Sequence, residues 1–537
     1  MYTWKDDDTM KIKMITKLIA VSLVIFSVAG CSNSKNLTSG SSNKGEVVEN
    51  KNTALSFNKD NYTTQSFTVN GEEVTFRAYE NVVYVENPID EKYQSMNIYI
   101  PEEYFNGESI GNFTAENAPI FFPNTIGGYM PSEAGTPSMK GAIDGEASRM
   151  GMTSNGDSKE ESPNSLLMAL SKGYVVASPS TRGRTSESED GTNTGKAPAG
   201  IVDLKAAIRY LHYNDEAMPG TADKIISNGT SAGGAMSALL GATGNNGDYE
   251  AYLKELGAAD ASDAIYAVSS YCPITNLDNA DMGYEWLFNG LNDYEKMNIS
   301  KDENGNIKRE KQSLTQTEDQ IKYSNELKAA FPDYINSLNL KDENGNSLIL
   351  DENGNGTFKD YVKSYVVKSA QTAIDSGKDL SDITWITISN GTVTDVDFDG
   401  YVSYLSRSKV APAFDNVDLN NPNPENNLFG TETVDNQHFT KFSLDNDTSG
   451  GTMADEQLIT MMNPMNYIGT QGTDMAKYWR IRHGVKDSDT AISTPTILAL
   501  KLESNGAIVD FAVPWGQGHG GDYDLDELFA WMDSISE

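Results

Sequence analysis

Ser231 stands in Asn228-Gly229-Thr230-Ser231-Ala232-Gly233-Gly234, with one glycine two places before it and another two places after. A serine oxygen becomes a useful nucleophile only when a base takes its proton and nearby amides receive the charge that its attack creates. A sharp strand-to-helix turn exposes such an oxygen, and the turn is so tight that its flanking positions must be small. Lys224-Ile225-Ile226 reads as a strand just before the serine, and Ala232 to Leu240 reads as a helix just after it. That setting makes Ser231 the candidate nucleophile. It also puts the Ala232 amide at a helix N-terminus, where it can donate to an oxyanion.

The base must come from four histidines. His212 falls on the helix before the elbow strand and reads as structural, and His438 has no acid or nucleophile pattern around it. His483 directly follows a buried-looking strand and reads as holding the loop behind it. His519 lies in Trp515-Gly516-Gln517-Gly518-His519-Gly520-Gly521, a glycine-rich loop after the last strand, and is the candidate general base. The acid that orients it should follow the preceding strand, as Lys486-Asp487-Ser488-Asp489 does. Either carboxylate could serve. Asp487, nearer the strand end, is preferred, which leaves Asp489 for substrate contact; the plainer reading is two solvated loop acids. A second oxyanion donor is sought in Pro123-Asn124-Thr125-Ile126-Gly127-Gly128-Tyr129, where Gly128 or Gly127 lets backbone amides approach a substrate.

Periodicity supplies the elements that would hold these groups. Ser66-Phe67-Thr68-Val69, the turn Asn70-Gly71 and Val74-Thr75-Phe76 form a hairpin pattern, and Met96 to Ile100 reads as the next strand. Ile120-Phe121-Phe122 is a short apolar run, Leu166 to Leu170 ends a helix at Gly173, and Tyr174 to Ala177 is a buried strand. Ile201, Leu204, Ile208 and Leu211 recur at helical spacing. This alternation, from about residue 64 to 275, predicts an α/β fold with a mostly parallel sheet and helices on both faces. It breaks over 276–455 and returns over 456–537. There, Tyr478 to Arg482 and Ile508 to Val513 read as strands. Pro495 and Gly506 bracket a helix, and Leu525, Leu528, Phe529, Met532 and Ile535 mark a last amphipathic one. The expected organisation is a core in two parts, 55–275 and 456–537, with 276–455 inserted as a lid that caps the site. Three related strings occur in the insertion: Lys301 to Asn306, Lys341 to Asn346 and Asp351 to Gly356. The last opens like a calcium loop, but Val362 stands where the bidentate acid belongs. Asn-Gly pairs beside apolar residues such as Leu348-Ile349-Leu350 read as hairpin turns instead.

The N-terminal residues 1–30 read as a signal peptide, with Lys11, Lys13 and Lys17 before the apolar stretch Leu18 to Val28. Asp6-Asp7-Asp8 spoils a basic n-region, which points to translation starting at Met10 or Met14. Val28-Ala29-Gly30-Cys31 resembles a bacterial lipobox and implies cleavage before Cys31 and acylation of its thiol. The expected protein is thus membrane-anchored by lipid and extracytoplasmic, at the bacterial cell envelope or surface. Residues 31–54 are rich in Ser, Asn, Gly and Lys and form a flexible tether. Once Cys31 is used, Cys272 is left without a disulfide partner and reads as a buried small hydrophobe. A formal charge of −36 argues against nucleic acid and anionic lipid headgroups as partners. Nothing in the sequence calls for a metal or organic cofactor.

With these residues in place, the chain resembles the bacterial tannases (tannin acyl hydrolases) of the α/β-hydrolase superfamily, over about residues 60–537. The resemblance rests on Pro123 to Met130, Ile201 to Tyr210, Asn228 to Gly234, Tyr271-Cys272-Pro273-Ile274, Glu425 to Gly430 and Trp479 to Gly484. The order serine, acid, histidine is also that of α/β-hydrolases. What the resemblance implies is an α/β-hydrolase core with a large lid, a triad of Ser231, Asp487 and His519, and hydrolysis of galloyl esters of tannins. It further implies that Lys409, Glu425 and Asp489 bind the galloyl hydroxyls. Pattern alone reads Lys409 and Glu425 as ordinary surface charges. The chain departs from the family in its lipoprotein leader and in Asn421-Pro422-Asn423-Pro424 before Glu425. Two alternatives stand beside this expectation: a feruloyl-type or general carboxylic ester hydrolase, and a silent surface protein that captures polyphenols, against which the order of the triad residues argues.

Overall fold

A computed structural model describes residues 53–139, 162–301 and 307–536. The expected signal peptide, nearly all of the tether and Cys31 lie outside the described residues, as does the Asn304-Gly305 turn.

Numbered along the chain, nine strands form the main sheet. Their order is β1 (Thr63–Val69), β2 (Glu72–Val83), β3 (Ser95–Pro101), β5 (Val175–Pro179), β4 (Pro119–Pro123), β6 (Thr221–Thr230), β7 (Ala267–Tyr271), β12 (Tyr478–Arg482) and β13 (Ile508–Ala512). The first three run antiparallel, and β3 meets β5 antiparallel. From β5 to β13 every neighbouring pair is parallel, as the alternating pattern predicts. The opening hairpin turns at Asn70 (φ 53°) and Gly71 (φ 88°), the two left-handed positions that a tight hairpin needs. Strands β3, β4, β5 and β7 are buried at every position, and β4 and the start of β5 read as apolar runs rather than alternating ones.

The helix Ala199–Tyr213 is buried along its whole length to Leu211, including Asp203, Lys205 and Arg209. Burial of these charges is tolerated because each has a partner: Arg182 pairs with Asp203, Lys205 and Arg209 share Asp263, and Arg209 also reaches Glu250. The helix Ala232–Ala242 packs against β6 and β7 directly behind the serine turn.

Among the described residues between β7 and β12, none joins the main sheet. That stretch holds the helices Leu277–Phe288, Glu318–Ser337, Thr357–Asp375 and Phe398–Leu405. It also forms two separate hairpins, β8 (Asp293–Lys301) with β9 (Ile307–Thr315), and β10 (Ile386–Ser389) with β11 (Thr392–Val396). Trp286 gathers Phe331, Phe358 and Phe398 into one aromatic cluster. The three Asn-Gly strings have different fates. The first lies, beyond Lys301, outside the described residues. The other two close on themselves: Asp342 accepts from the amides of Asn344 and Asn346, and Asp351 from those of Asn353 and Asn355. The third therefore differs from the expected hairpin turn, because it leads straight into the helix Thr357–Asp375, where Val362 is buried in the core. Leu348 and Leu350 are buried there without forming a strand.

Candidate active site

The serine turn begins where β6 ends. Ser231 has φ 61° and ψ −123°, a strained conformation for a residue with a side chain, and it is 9 % exposed. Neighbours hold it there: its amide donates to the Tyr271 carbonyl at 2.9 Å, and its own carbonyl accepts from Ala235 and Ile274. A Cβ on Gly229 would lie 2.3 Å from the Gly233 carbonyl oxygen, and one on Gly233 would lie 2.5 Å from Asn124 Oδ1. Both flanking glycines are thus sterically required.

His519 brings Nε2 to 2.8 Å from Ser231 Oγ, and its Nδ1 lies 2.9 Å from Asp487 Oδ2. A carboxylate can only accept, so Nδ1 carries the proton and Nε2 is free to take one from the serine. The other carboxylate oxygen, Asp487 Oδ1, accepts from the Asp489 and Thr490 amides, which fixes its orientation. Burial opposes ionisation of Asp487, but the imidazoles of His519 and His483 outweigh it and hold the carboxyl well below the usual range. Burial likewise disfavours a charged His519, yet Asp487 and then Asp489 outweigh it and push the imidazole well above its ordinary value. Asp489 Oδ2 stands 4.0 Å from His519 Nε2.

The loop with Gly127 and Gly128 is tied to the elbow at two points. Gly233 donates its amide to the Ile126 carbonyl at 2.9 Å, and Asn124 Nδ2 donates to the Asn228 and Gly233 carbonyls and to Ser237 Oγ. Gly128 (φ 55°) and Tyr129 (φ 58°) form a left-handed turn closed by the Met130 amide on the Gly127 carbonyl. Sequence reasoning overlooked Arg184. Its Nε donates to the Gly128 carbonyl at 2.8 Å, and its Nη1 to Asn427 Oδ1 at 3.0 Å, so it joins this loop to the short helix Pro424–Leu428. No local pattern marks it, because both partners are distant in sequence.

That helix carries Glu425, which is only 4 % exposed and so is not the surface charge that pattern suggests. Asn423 and Asn426 cap the helix reciprocally with Pro424 at its start, so the Asn421 to Pro424 departure presents Glu425 from a rigid cap. Burial raises the Glu425 carboxyl, the charges of Lys409 and Arg184 oppose that, and Asp489 adds to it. Lys409 Nζ sits 4.2 Å over the Phe414 ring. The segment before it is docked beside Asp487: Ser408 Oγ donates to the Ser488 carbonyl, and Tyr284 OH donates to the same carbonyl while accepting from the Lys409 amide.

The other histidines do different work. His212 Nε2 lies 3.0 Å from the Ala264 carbonyl, a structural contact. His438 is fully buried between Asp415 (2.9 Å) and Asp447 (3.2 Å), so acids do surround it, contrary to its sequence reading. Burial opposes its charge, but the two carboxylates prevail and raise its pKa, which suits a cationic strut with both ring nitrogens donating. His483 is buried with Nδ1 3.5 Å from Asp487 Oδ2. Cys272 is fully buried.

The family model described as BD-FAE matches residues 145–330. No curated protein matches the chain. Among solved structures, the Fusobacterium nucleatum tannase is 51 % identical, with 90 % of this chain and 99 % of that one covered at a TM-score of 0.82. A tannase from Lactobacillus plantarum is 41 % identical with the same coverage and TM-score. A tannin acyl hydrolase in complex with ethyl gallate is also 41 % identical, at a TM-score of 0.80 over 90 % of this chain and 99 % of that one.

Proposed function

This chain belongs to the bacterial tannases, and from that premise we propose that it hydrolyses galloyl esters of tannins through Ser231, His519 and Asp487. It is a carboxylic ester hydrolase of the α/β-hydrolase fold. The observation that carries the mechanism is the unbroken chain of hydrogen bonds Ser231–His519–Asp487, with the buried Glu425 facing the charges of Lys409 and Asp489 beside it.

The steps follow from that geometry. Ser231 Oγ attacks the ester carbonyl carbon as its proton passes to His519 Nε2, and the carbonyl oxygen becomes an oxyanion held by the amides of Ala232 and Gly128. Asp487 keeps the Nδ1 proton in place and stabilises the imidazolium. Collapse of the intermediate expels the alcohol, which takes the proton from His519, and leaves a galloyl ester on Ser231. Water, deprotonated by His519, then attacks that ester and frees gallate and the serine. The ring hydroxyls are read by Lys409 as donor and by Glu425 and Asp489 as carboxyl partners. A site built to pair such hydroxyls rejects analogues that lack them by about 10⁴–10⁵.

Gallate release from methyl gallate tests this reading, with Lys409→Ala and Glu425→Ala beside the parent and ethyl ferulate as the competing substrate. Fast release that falls by at least about 100-fold in both variants, with little ferulate turnover, is expected. Ferulate or simple-ester turnover without gallate release would remove the galloyl assignment. Val28-Ala29-Gly30-Cys31 supports a second part of the proposal, a lipid-anchored protein outside the cytoplasm. Cys31→Ser should then release the protein from the membrane fraction.

A further inference from the structure

We propose that Cys272, His483 and Asp487 form an inhibitory site for a soft divalent cation of the zinc or cadmium type. The topology brings the three together. In the parallel pairing of β7 with β12, Tyr271 is the partner of Arg482, so the next residues of both strands emerge side by side. The Cys272 amide donates to the Arg482 carbonyl at 2.7 Å, and Asp487 returns on a turn whose amide donates to Gly484.

The sulfur, a ring nitrogen and a carboxylate oxygen of these residues all lie within 4.8 Å of one another. His483 Nδ1 and Asp487 Oδ2 are 3.5 Å apart, close to the spacing of about 3.4 Å between two ligands on one tetrahedral zinc. Cys272, His483 and Asp487 are 0 %, 1 % and 1 % exposed. Among the described residues His483 Nδ1 has no hydrogen-bond partner, and an orphaned buried nitrogen needs an explanation. It is aimed at the sulfur and the carboxylate. Thiolate and carboxylate together offset a double positive charge, and a sulfur–nitrogen donor set selects soft cations over magnesium or calcium.

The cover is thin. The Cys272 thiol donates to the Gly520 carbonyl at 3.5 Å, and that loop exposes Gly516 and Gly518 to solvent. On binding, the thiol proton leaves to water, and the cation takes Cys272 Sγ, the His483 Nδ1 lone pair and Asp487 Oδ2. That oxygen is the one that accepts from His519 Nδ1, so the cation removes the triad's orienting bond. The inhibitory half of this inference rests on the proposed triad, whereas the binding half does not.

The test uses the full chain carrying Cys31→Ser, which leaves Cys272 as the single thiol. Cadmium chloride is titrated while the thiolate-to-cadmium ultraviolet band is followed, and zinc chloride is titrated against methyl gallate turnover. The expected results are one cadmium per chain with the thiolate band, and zinc inhibition reversed by chelator. Cys272→Ala should keep turnover and need at least about 10-fold more zinc for half inhibition. His483→Gln, with its own cadmium titration, serves as the second variant should Cys272→Ala fail to fold. Absence of the thiolate band, or equal zinc sensitivity in the variants, would overturn the site. A thiolate band without any gallate turnover would instead leave the cation site standing and refute the proposed function.

Discussion

Asp489 acts on His519 across 4.0 Å, and its effect has a definite sign. Burial lowers the His519 pKa, but Asp487 and Asp489 raise it further, to well above the ordinary imidazole value. Only the neutral ring accepts the serine proton, so activity should climb as pH rises through that raised pKa. Asp489→Asn removes one raising charge, and the acid limb of kcat/KM for a simple aliphatic ester should then move to lower pH. A limb that stays or moves upward would show that Asp489 does not set the His519 charge. Gly229→Ala puts a methyl group 2.3 Å from the Gly233 carbonyl oxygen, so the elbow must shift. Displacement of this order misaligns the nucleophile, and kcat should fall by at least about 100-fold while folding is retained. Residue type, flanking glycines and chain order single out Ser231, Asp487 and His519, and the fold places His519 within hydrogen-bond reach of the other two. Arg184 and the acids around His438 were not legible, since their partners meet only through the fold. The burial of Glu425 was hidden for the same reason.

At the scale of elements, the lid segment before Lys409 is held down by the pairing of Arg407 with Glu285, both fully buried. Ser324 Oγ and Arg407 Nη1 share one oxygen of that carboxylate, and Arg407 Nε donates to the Lys409 carbonyl. Truncating one member of such a pair leaves the other charged and dry. Arg407→Leu should therefore cost about 3–5 kcal/mol of folding stability in a denaturant titration. A loss under about 1 kcal/mol would mean that Glu285 is readily solvated or finds another cation. Strands such as β4 and β5 were visible in the sequence because an apolar run between turns has few other uses. The helix Ala199–Tyr213 was visible by its period, but the burial of its charges was not, because it depends on tertiary pairing. The loop after Leu350 was misjudged as a hairpin turn, because an aspartate that ties its own loop serves equally well before a helix.

For the whole molecule, the formal charge of −36 is the dominant electrostatic fact. Like charges at this density oppose compaction, and salt shortens their reach. The Tm should rise as sodium chloride goes from about 0.01 M to about 0.15 M, where the screening length contracts from about 30 Å to about 8 Å. A flat or falling Tm would mean that surface pairs such as Lys441 with Asp445 outweigh the repulsion. The placement of residues 272–477 between two neighbouring strands has another consequence, for how the protein is made. During synthesis β7 is complete long before β12 exists, yet β12 is its partner in the finished sheet. Until the last sixty or so residues arrive, the growing chain carries an open strand edge of buried-type residues. Closing such a long loop is slow, and an unpaired edge is a template for aggregation. Chains interrupted anywhere before Tyr478 should share that hazard, so the final two strands serve as the seal on a nascent protein as well as the support of the loop that carries His519.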